Sequence, residues 1–165
     1  MSTPSSDPPP AIRDMRAEDR AAVADLLLEL NRVEDAIAGD RYVAEEAGWA
    51  CLVDNEAWIA EHGGTILVAI DDKDVVGALV LCFDVAETFI RPDVRRHGLV
   101  ADLVVARHAR GRGVGRLLLA EAERRTRAAG LPAMAIGALV GNEPALRLYD
   151  DFGFQRQAID FIKWL

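Results

Sequence analysis

With 165 residues, 51% of them hydrophobic and 28% charged, the chain has the make-up of one globular domain able to bury its own core. A formal net charge of −8 argues against nucleic acid as a partner, because a long polyanion requires a basic face. No apolar run approaches the roughly 18–20 residues that cross a bilayer, so no membrane association is expected.

The first ten residues, MSTPSSDPPP, have neither the basic nor the apolar segment of a secretory signal. They lack the apolar surface to order themselves, so residues 1–10 read as a disordered tail ahead of a single domain over 11–165. Cys51 and Cys82 are too few for a disulfide framework and read as reduced thiols of a cytoplasmic protein. AIRDM (11–15) reads as a short strand, and residues 17–30 as a helix with Val23, Leu26, Leu27 and Leu30 at helical spacing. Residues 33–62 look helical in pieces, with Trp49 and Trp58 among the apolar positions. TILVAI (65–70) and VVGALVLCF (75–83), joined by the acidic turn Asp71, Asp72, Lys73, Asp74, read as a β-hairpin. A loop over 84–97 carries Arg91, Asp93, Arg95 and Arg96. LVADLVVA (99–106) is nearly continuously apolar and reads as a central strand. A helix is expected over 114–129, stopped by Gly130 and Pro132, with Val114, Leu117, Leu118 and Ala122 on one face. MAIGALV (134–140) reads as a strand, residues 141–154 as a short helix, and FQRQAIDFIKWL (154–165) as a last strand or pair. A strand–turn–helix–strand unit preceded by antiparallel hairpins implies a mixed-sheet α/β or α+β domain.

The stretch ARGRGVG (109–115) sets three glycines and two arginines between an apolar strand and an amphipathic helix. A glycine turn at a helix start leaves several N–H groups free and lets an anion approach the backbone. The macrodipole favours negative charge there by about 0.3–1 kcal/mol. Ten of the chain's arginines fall between Arg91 and Arg127, so this zone is basic in an acidic protein and suits a small anionic ligand. Spacing narrows the choice of ligand. A Walker loop needs Lys-Ser/Thr after its last glycine, and Arg116-Leu117 stand there instead. The Rossmann pattern needs glycine at 116 or 118, which are Arg116 and Leu118. What remains is R-x-x-G-x-G, from Arg110 through Gly111, Arg112, Gly113 and Val114 to Gly115.

That motif, within DLVVARHARGRGVGRLLLAEAE, resembles the pyrophosphate loop of the GNAT family of N-acetyltransferases, which bind acetyl-coenzyme A. A second element of the family, N-x-x-A-x-x-x-Y followed by G-F, is matched by Asn142, Ala145, Tyr149, Gly153 and Phe154. The resemblance covers about residues 66–165 well and the N-terminal sixty residues loosely. It implies a mostly antiparallel mixed sheet with helices on both faces and a splayed central strand. It implies further that Leu103, Val104 and Val105 offer backbone groups to the pantetheine arm and that residues 110–116, Arg112 and Arg116 included, wrap the pyrophosphate. Asn142 and Ala145 would touch the cofactor arm. Tyr149 would protonate the departing thiolate.

Each of these roles has a plainer counterpart. Asn142 suits a helix N-cap, with Pro144 tolerated in the first turn. Tyr149 shares a helical face with Ala145, Leu148 and Phe152 and suits a core aromatic. Arg112 and Arg116 suit a solvated surface. The acceptor ammonium, with a pKa near 10.4, must lose a proton before it can attack, which at pH 7 costs roughly 4–5 kcal/mol. Many family members place a glutamate where this chain has Ala101, so the usual base is missing. Asp102 is retained, either as a base acting through water or as a structural carboxylate. Asp84, Glu87 and Asp93 are weaker candidates for the base. The acceptor pocket would be formed by residues 32–58 and 84–97, where Glu34, Asp35, Glu45 and Glu46 suit a cationic amine. His62, His97 and His108 are scattered, and no metal is expected. The expected activity is acetyl transfer from acetyl-CoA, the co-substrate, to a primary amine by direct attack in a ternary complex, with a homodimer as the family-level expectation. The alternative, motivated by Ala101, is a catalytically weak CoA-binding module acting in regulation or protein interaction.

Overall fold

The computed structural model describes residues 8–165. The expected disordered tail therefore lies mostly outside the described residues; of its last three, Pro8 and Pro9 are exposed and Pro10 is buried. Strand β1 (Ala11–Asp14) leads through a 3-10 turn into helix α1 (Arg20–Ala38), followed by α2 (Ala47–His62). The hairpin β2 (Gly64–Asp71) and β3 (Asp74–Val85) comes next, then a single turn α3 (Pro92–Arg95) and strand β4 (Arg96–Val105). Helix α4 (Val114–Ala128), strand β5 (Met134–Ile136) and helix α5 (Glu143–Phe152) complete the elements.

The five strands form one sheet in the order β1-β2-β3-β4-β5. Three pairings are antiparallel, and β4 with β5 is parallel, as a strand–helix–strand crossover requires. Apolar residues cover both faces, because each face carries helices. Ile66, Val68, Ala78, Val80, Cys82 and Val104 pack with Val23, Leu27 and Leu52 of α1 and α2. On the other face Leu67, Leu79, Leu81 and Val100 pack with Val114, Leu118, Leu119 and Ala122 of α4. The two-sided burial explains why β2 and β3 read as nearly unbroken apolar runs rather than as alternating ones.

Two details fix the helices that frame the site. An added Cβ at Gly48 would lie 2.0 Å from the Ala24 carbonyl oxygen, so this glycine lets α2 cross directly against α1. Buried Asp19 anchors the start of α1 by accepting from the Arg16 N–H at 2.7 Å and from the Arg13 guanidinium, and these partners hold its carboxyl below the ordinary range.

Several expectations are corrected. The helix expected over 17–30 begins as a 3-10 turn and then runs on as α1 to Ala38, where Gly39 at φ +72° closes it. The loop expected over 84–97 is shorter, since β3 reaches Val85 and β4 starts at Arg96. The strand expected over 134–140 is paired only over Met134–Ile136. The last strand or pair expected over 154–165 does not form; residues 155–165 have no regular secondary structure and are exposed.

Candidate active site

The site is organised by β4. Its pairing with β5 covers only Gly98, Leu99 and Val100, opposite Met134, Ala135 and Ile136. Beyond Val100 the two strands part, while β4 stays paired with β3 as far as Val105. Leu103, Val104 and Val105 therefore have no strand neighbour on the β5 side, and the Val105 carbonyl is taken by Arg110. A β-bulge accompanies the parting: Leu81 of β3 faces Val100 and Val80 faces Asp102, which leaves Ala101 as the extra, exposed residue.

At the end of β4 the glycine turn has the geometry of an anion cradle. Gly111 and Gly113 adopt φ of +76° and +80°, which L side chains rarely tolerate. At neither would an added Cβ meet an atom within 4 Å, so the space before them is open. The first bond of the α4 ladder runs from the Leu117 N–H to the Gly113 carbonyl at 3.1 Å, which puts the N–H groups of Val114, Gly115 and Arg116 ahead of the ladder. Gly115 is instead a contact point between helices, its missing Cβ lying 3.0 Å from Leu148 of α5.

The three arginines around the cradle all have protein partners. Arg110 donates to the Val105 carbonyl at 2.9 Å and to Glu29 of α1 at 2.6 Å. Arg112 pairs with Asp71 of the hairpin at 2.6 Å. Arg116 donates to the Asp151 carbonyl at 3.2 Å and stacks over Phe152. These exposed pairs are individually weak, so the guanidinium groups can exchange a carboxylate for a phosphate at little cost. A diphosphate fits this set of glycines, N–H groups and arginines.

Helix α5 places the second element across the opening. Asn142 caps it, with its Oδ1 accepting from the Ala145 N–H at 3.3 Å, and Gly153 at φ +107° ends it. Both Ala145 and Tyr149 are half-buried. The Tyr149 ring packs edge-on against Phe154 at 5.9 Å between centroids. Among the described residues its hydroxyl has no hydrogen-bond partner. Burial, and then the negative charges of Glu34 and Asp102, push the phenol up to about 12.

Asp102 faces α1 and α2, where it accepts from Asn55 Nδ2 at 2.7 Å. Burial pushes its carboxyl above the ordinary range; the Asn55 hydrogen bond opposes this, and the Glu34 charge adds to it. The charges of Glu34 and Asp102 thus both act on Tyr149, and that of Glu34 also on Asp102, while Glu34 is itself paired with Arg41 at 2.7 Å. Of the weaker candidates, Asp84 lies opposite His97 in β3 and, with Asp102, acts on Cys82, whose thiol burial chiefly pushes up to about 11. Glu87 is exposed, and Asp93 is an exposed partner of Arg91 at 3.2 Å. Among the described residues no cluster of three or more His, Cys, Asp or Glu could hold a metal ion. Nor is any helix among them long and apolar enough to cross a membrane.

Sequence reasoning missed Asn55 and Glu29. A signal for Asn55 existed, because it falls on the stripe Leu52, Asn55, Ile59 that α2 turns inward and is the helix's one amide. Glu29 carried none, being one of many acidic helix residues.

Solved structures with this architecture include a mutant of the BH1408 protein from Bacillus halodurans, at TM-score 0.78 and 20% identity, covering 94% of this chain and 99% of that one. A putative acetyl transferase from Pyrococcus furiosus aligns at TM-score 0.72 and 20% identity over 94% and 99% of the two chains. The structure of AAC(6')-Iy in complex with the bisubstrate analog CoA-S-monomethyl-acetylneamine aligns at 0.71 and 18% over 94% and 98%. Identities this low speak for the fold alone. No curated protein matches the chain. The family is settled by sequence: the model of the acetyltransferase (GNAT) family matches residues 23–154, and the chain belongs to that family.

Proposed function

We propose that the protein transfers the acetyl group of acetyl-CoA to a primary amine by direct attack in a ternary complex. The observation that supports this reading is a half-buried Tyr149 hydroxyl, without a hydrogen-bond partner among the described residues, on the helix that follows the strand from which β4 parts. In this reading residues 110–116 hold the diphosphate. The free edge of Leu103, Val104 and Val105 aligns the pantetheine arm, and Asn142 and Ala145 border it. Asp102, with its basicity raised by burial, takes the proton of the acceptor ammonium, directly or through water. The amine nitrogen then forms a bond to the thioester carbonyl carbon, the carbon–sulfur bond breaks, Tyr149 donates its proton to the leaving sulfur, and the second proton shed by the nitrogen returns Tyr149 to its neutral form. Glu34 is neutralised by Arg41 at 2.7 Å, so a cationic amine would find its counter-charge in Asp102.

Thermal melting with CoA tests the cofactor half of the proposal. A ligand at 100 times its Kd adds about 2.7 kcal/mol of stability, and no shift at millimolar CoA overturns the reading. Gly113→Glu, which puts a side chain and a negative charge into the open cradle, should abolish the shift. Thiol release over a panel of polyamines, aminoglycosides, amino acids and peptide N-termini tests the transfer half. CoA binding without release for any amine would leave the CoA-binding module as the better account, as the absence of a carboxylate at Ala101 suggests.

A further inference from the structure

Helix α1 reaches the glycine turn through one side chain. Glu29, half-buried on that helix, accepts from Nη2 of Arg110 at 2.6 Å across 81 residues of chain. Among the described residues it has no other partner. The second hold on Arg110 comes from β4. The Ala106 N–H donates to the Val76 carbonyl of β3 at 2.9 Å. In a trans peptide the preceding carbonyl points the opposite way, so the Val105 carbonyl faces the side from which β5 has departed. Arg110 Nε donates to that carbonyl at 2.9 Å.

Arg110 therefore stands where the unpaired edge of β4 ends and the glycine turn begins, fastened by a strand carbonyl on one nitrogen and by a helix carboxylate on another. The other two arginines of the turn are not held in this way. Arg112 has the hydrogen bond to Asp71 alone, and Arg116 has a 3.2 Å bond to the Asp151 carbonyl and the face of Phe152. A guanidinium carries five N–H donors in one plane. The Val105 carbonyl and Glu29 take one each, which leaves three for a ligand without either hold being released. Immobilising a rotamer-rich side chain on binding costs up to about tenfold in affinity, a loss that a side chain already fixed in the unliganded protein avoids. Glu29 also carries a negative charge, which by itself would oppose an anion. Its side chain is 34% exposed and that of Arg110 44%, so water screens that repulsion and the fixing of Arg110 is the larger effect.

We propose that Glu29 is a positioning residue of the cofactor cradle: together with the Val105 carbonyl it fixes the Arg110 guanidinium at the mouth of the glycine turn, ready to donate to the diphosphate. The inference rests on the reading that residues 110–116 hold the diphosphate of CoA, and it adds a residue of α1, far away in sequence, to that site.

Titration calorimetry of the full chain with CoA tests the proposal. In Glu29→Ala the Kd for CoA should rise about three- to tenfold, the loss expected when one long side chain must be ordered by the ligand itself. Glu29→Gln keeps an oxygen acceptor at the same reach and should bind within about threefold of the parent. In an Arg110→Ala background, Glu29→Ala should have no further effect, because the side chain that it positions is gone. A Kd in Glu29→Ala that is unchanged or lower overturns the proposal, the lower value marking Glu29 as a competitor of the diphosphate. So does a loss that persists in the Arg110→Ala background, which would trace the effect to the packing of α1. A parent chain that does not bind CoA overturns the cofactor reading and this inference with it, whereas the other two results overturn this inference alone.

Discussion

Replacing Tyr149 by Phe separates the two readings of this residue, because its ring and its hydroxyl do different work. The ring packs against Phe154 at 5.9 Å, and the substitution keeps that contact. The hydroxyl has no hydrogen-bond partner among the described residues, so its removal orphans no buried group, and stability should stay within about 0.5 kcal/mol of the parent. Catalysis should respond differently. A phenol pushed up to about 12 is fully protonated at pH 7 and therefore always able to donate. It is a weaker acid than a free thiol, whose pKa is about 8.5, so complete transfer to an unperturbed thiolate would run uphill. The burial and the two carboxylates that lift the phenol also disfavour a thiolate forming beside it, which narrows the gap. A positioned acid contributes roughly 10²–10⁴ in rate, or about 3–5 kcal/mol of barrier. Thiol release at saturating acetyl-CoA should accordingly fall by at least about 10² in Tyr149→Phe, with the melting temperature and CoA-induced shift unchanged. A turnover within about threefold of the parent would refute the argument. So would a loss of activity matched by a loss of stability, which would make Tyr149 a core residue.

Asp102→Asn should remove turnover yet raise neutral-pH stability. The native carboxyl has a raised pKa, so its contribution is fully present below the unfolded value of about 3.8 and is lost as pH rises through the native one; melts at pH 4 and pH 7 should show the gain only at the higher pH. Asn55→Ala removes the hydrogen bond that favours the charged form of Asp102, so the acid limb of the kcat/KM profile should move to higher pH, whereas Asp102→Asn should abolish that limb. Glu121 is held at about 2 by Arg124 and Arg125, and its contribution is present above about 4.5 and lost as pH falls toward 2. Solvent screening of these half-exposed arginines leaves about 1 kcal/mol of the effect, so Glu121→Gln should lower stability by that amount at pH 7 and by little at pH 2, read by urea unfolding.

What could be read from the sequence was what is local. The glycine turn was legible because positive φ at Gly111 and Gly113, a helix start at Val114 and a cap at Asn142 are each imposed by residues within one turn of themselves. The partnership of Asp102 with Asn55 joins residues 47 apart, and only the packing of α2 on the sheet brings them together. The C-terminal segment shows a third situation. Its apolar pattern is that of a strand, but strand character is realised only against a free edge, and a sequence states the propensity without naming the partner. The shortening of the strand expected over 134–140 has the same cause, since Gly137 and its successors lie where β4 has turned away.

The alternation of β4 would have misled even a correct strand assignment. Strict period-two reading puts Asp102 on the face of Val100, among Leu118 and Leu119 of α4, where an unpaired carboxylate would be expensive. The bulge absorbs Ala101, so Val100 and Leu103 share the α4 face while Asp102 and Val104 turn toward α1 and α2. One extra residue thereby divides the strand. Its first part, Gly98 to Val100, is paired on both sides and structural; its second, from Asp102 to Val105, is paired on one side only. Bulges sharpen local twist, and the strand parts from β5 at this very residue. The same irregularity therefore accompanies the unpaired edge of β4 and turns the only carboxylate of that stretch toward Asn55 of α2. Ala101 matters in this chain as the extra backbone unit that turns Asp102 toward α1 and α2.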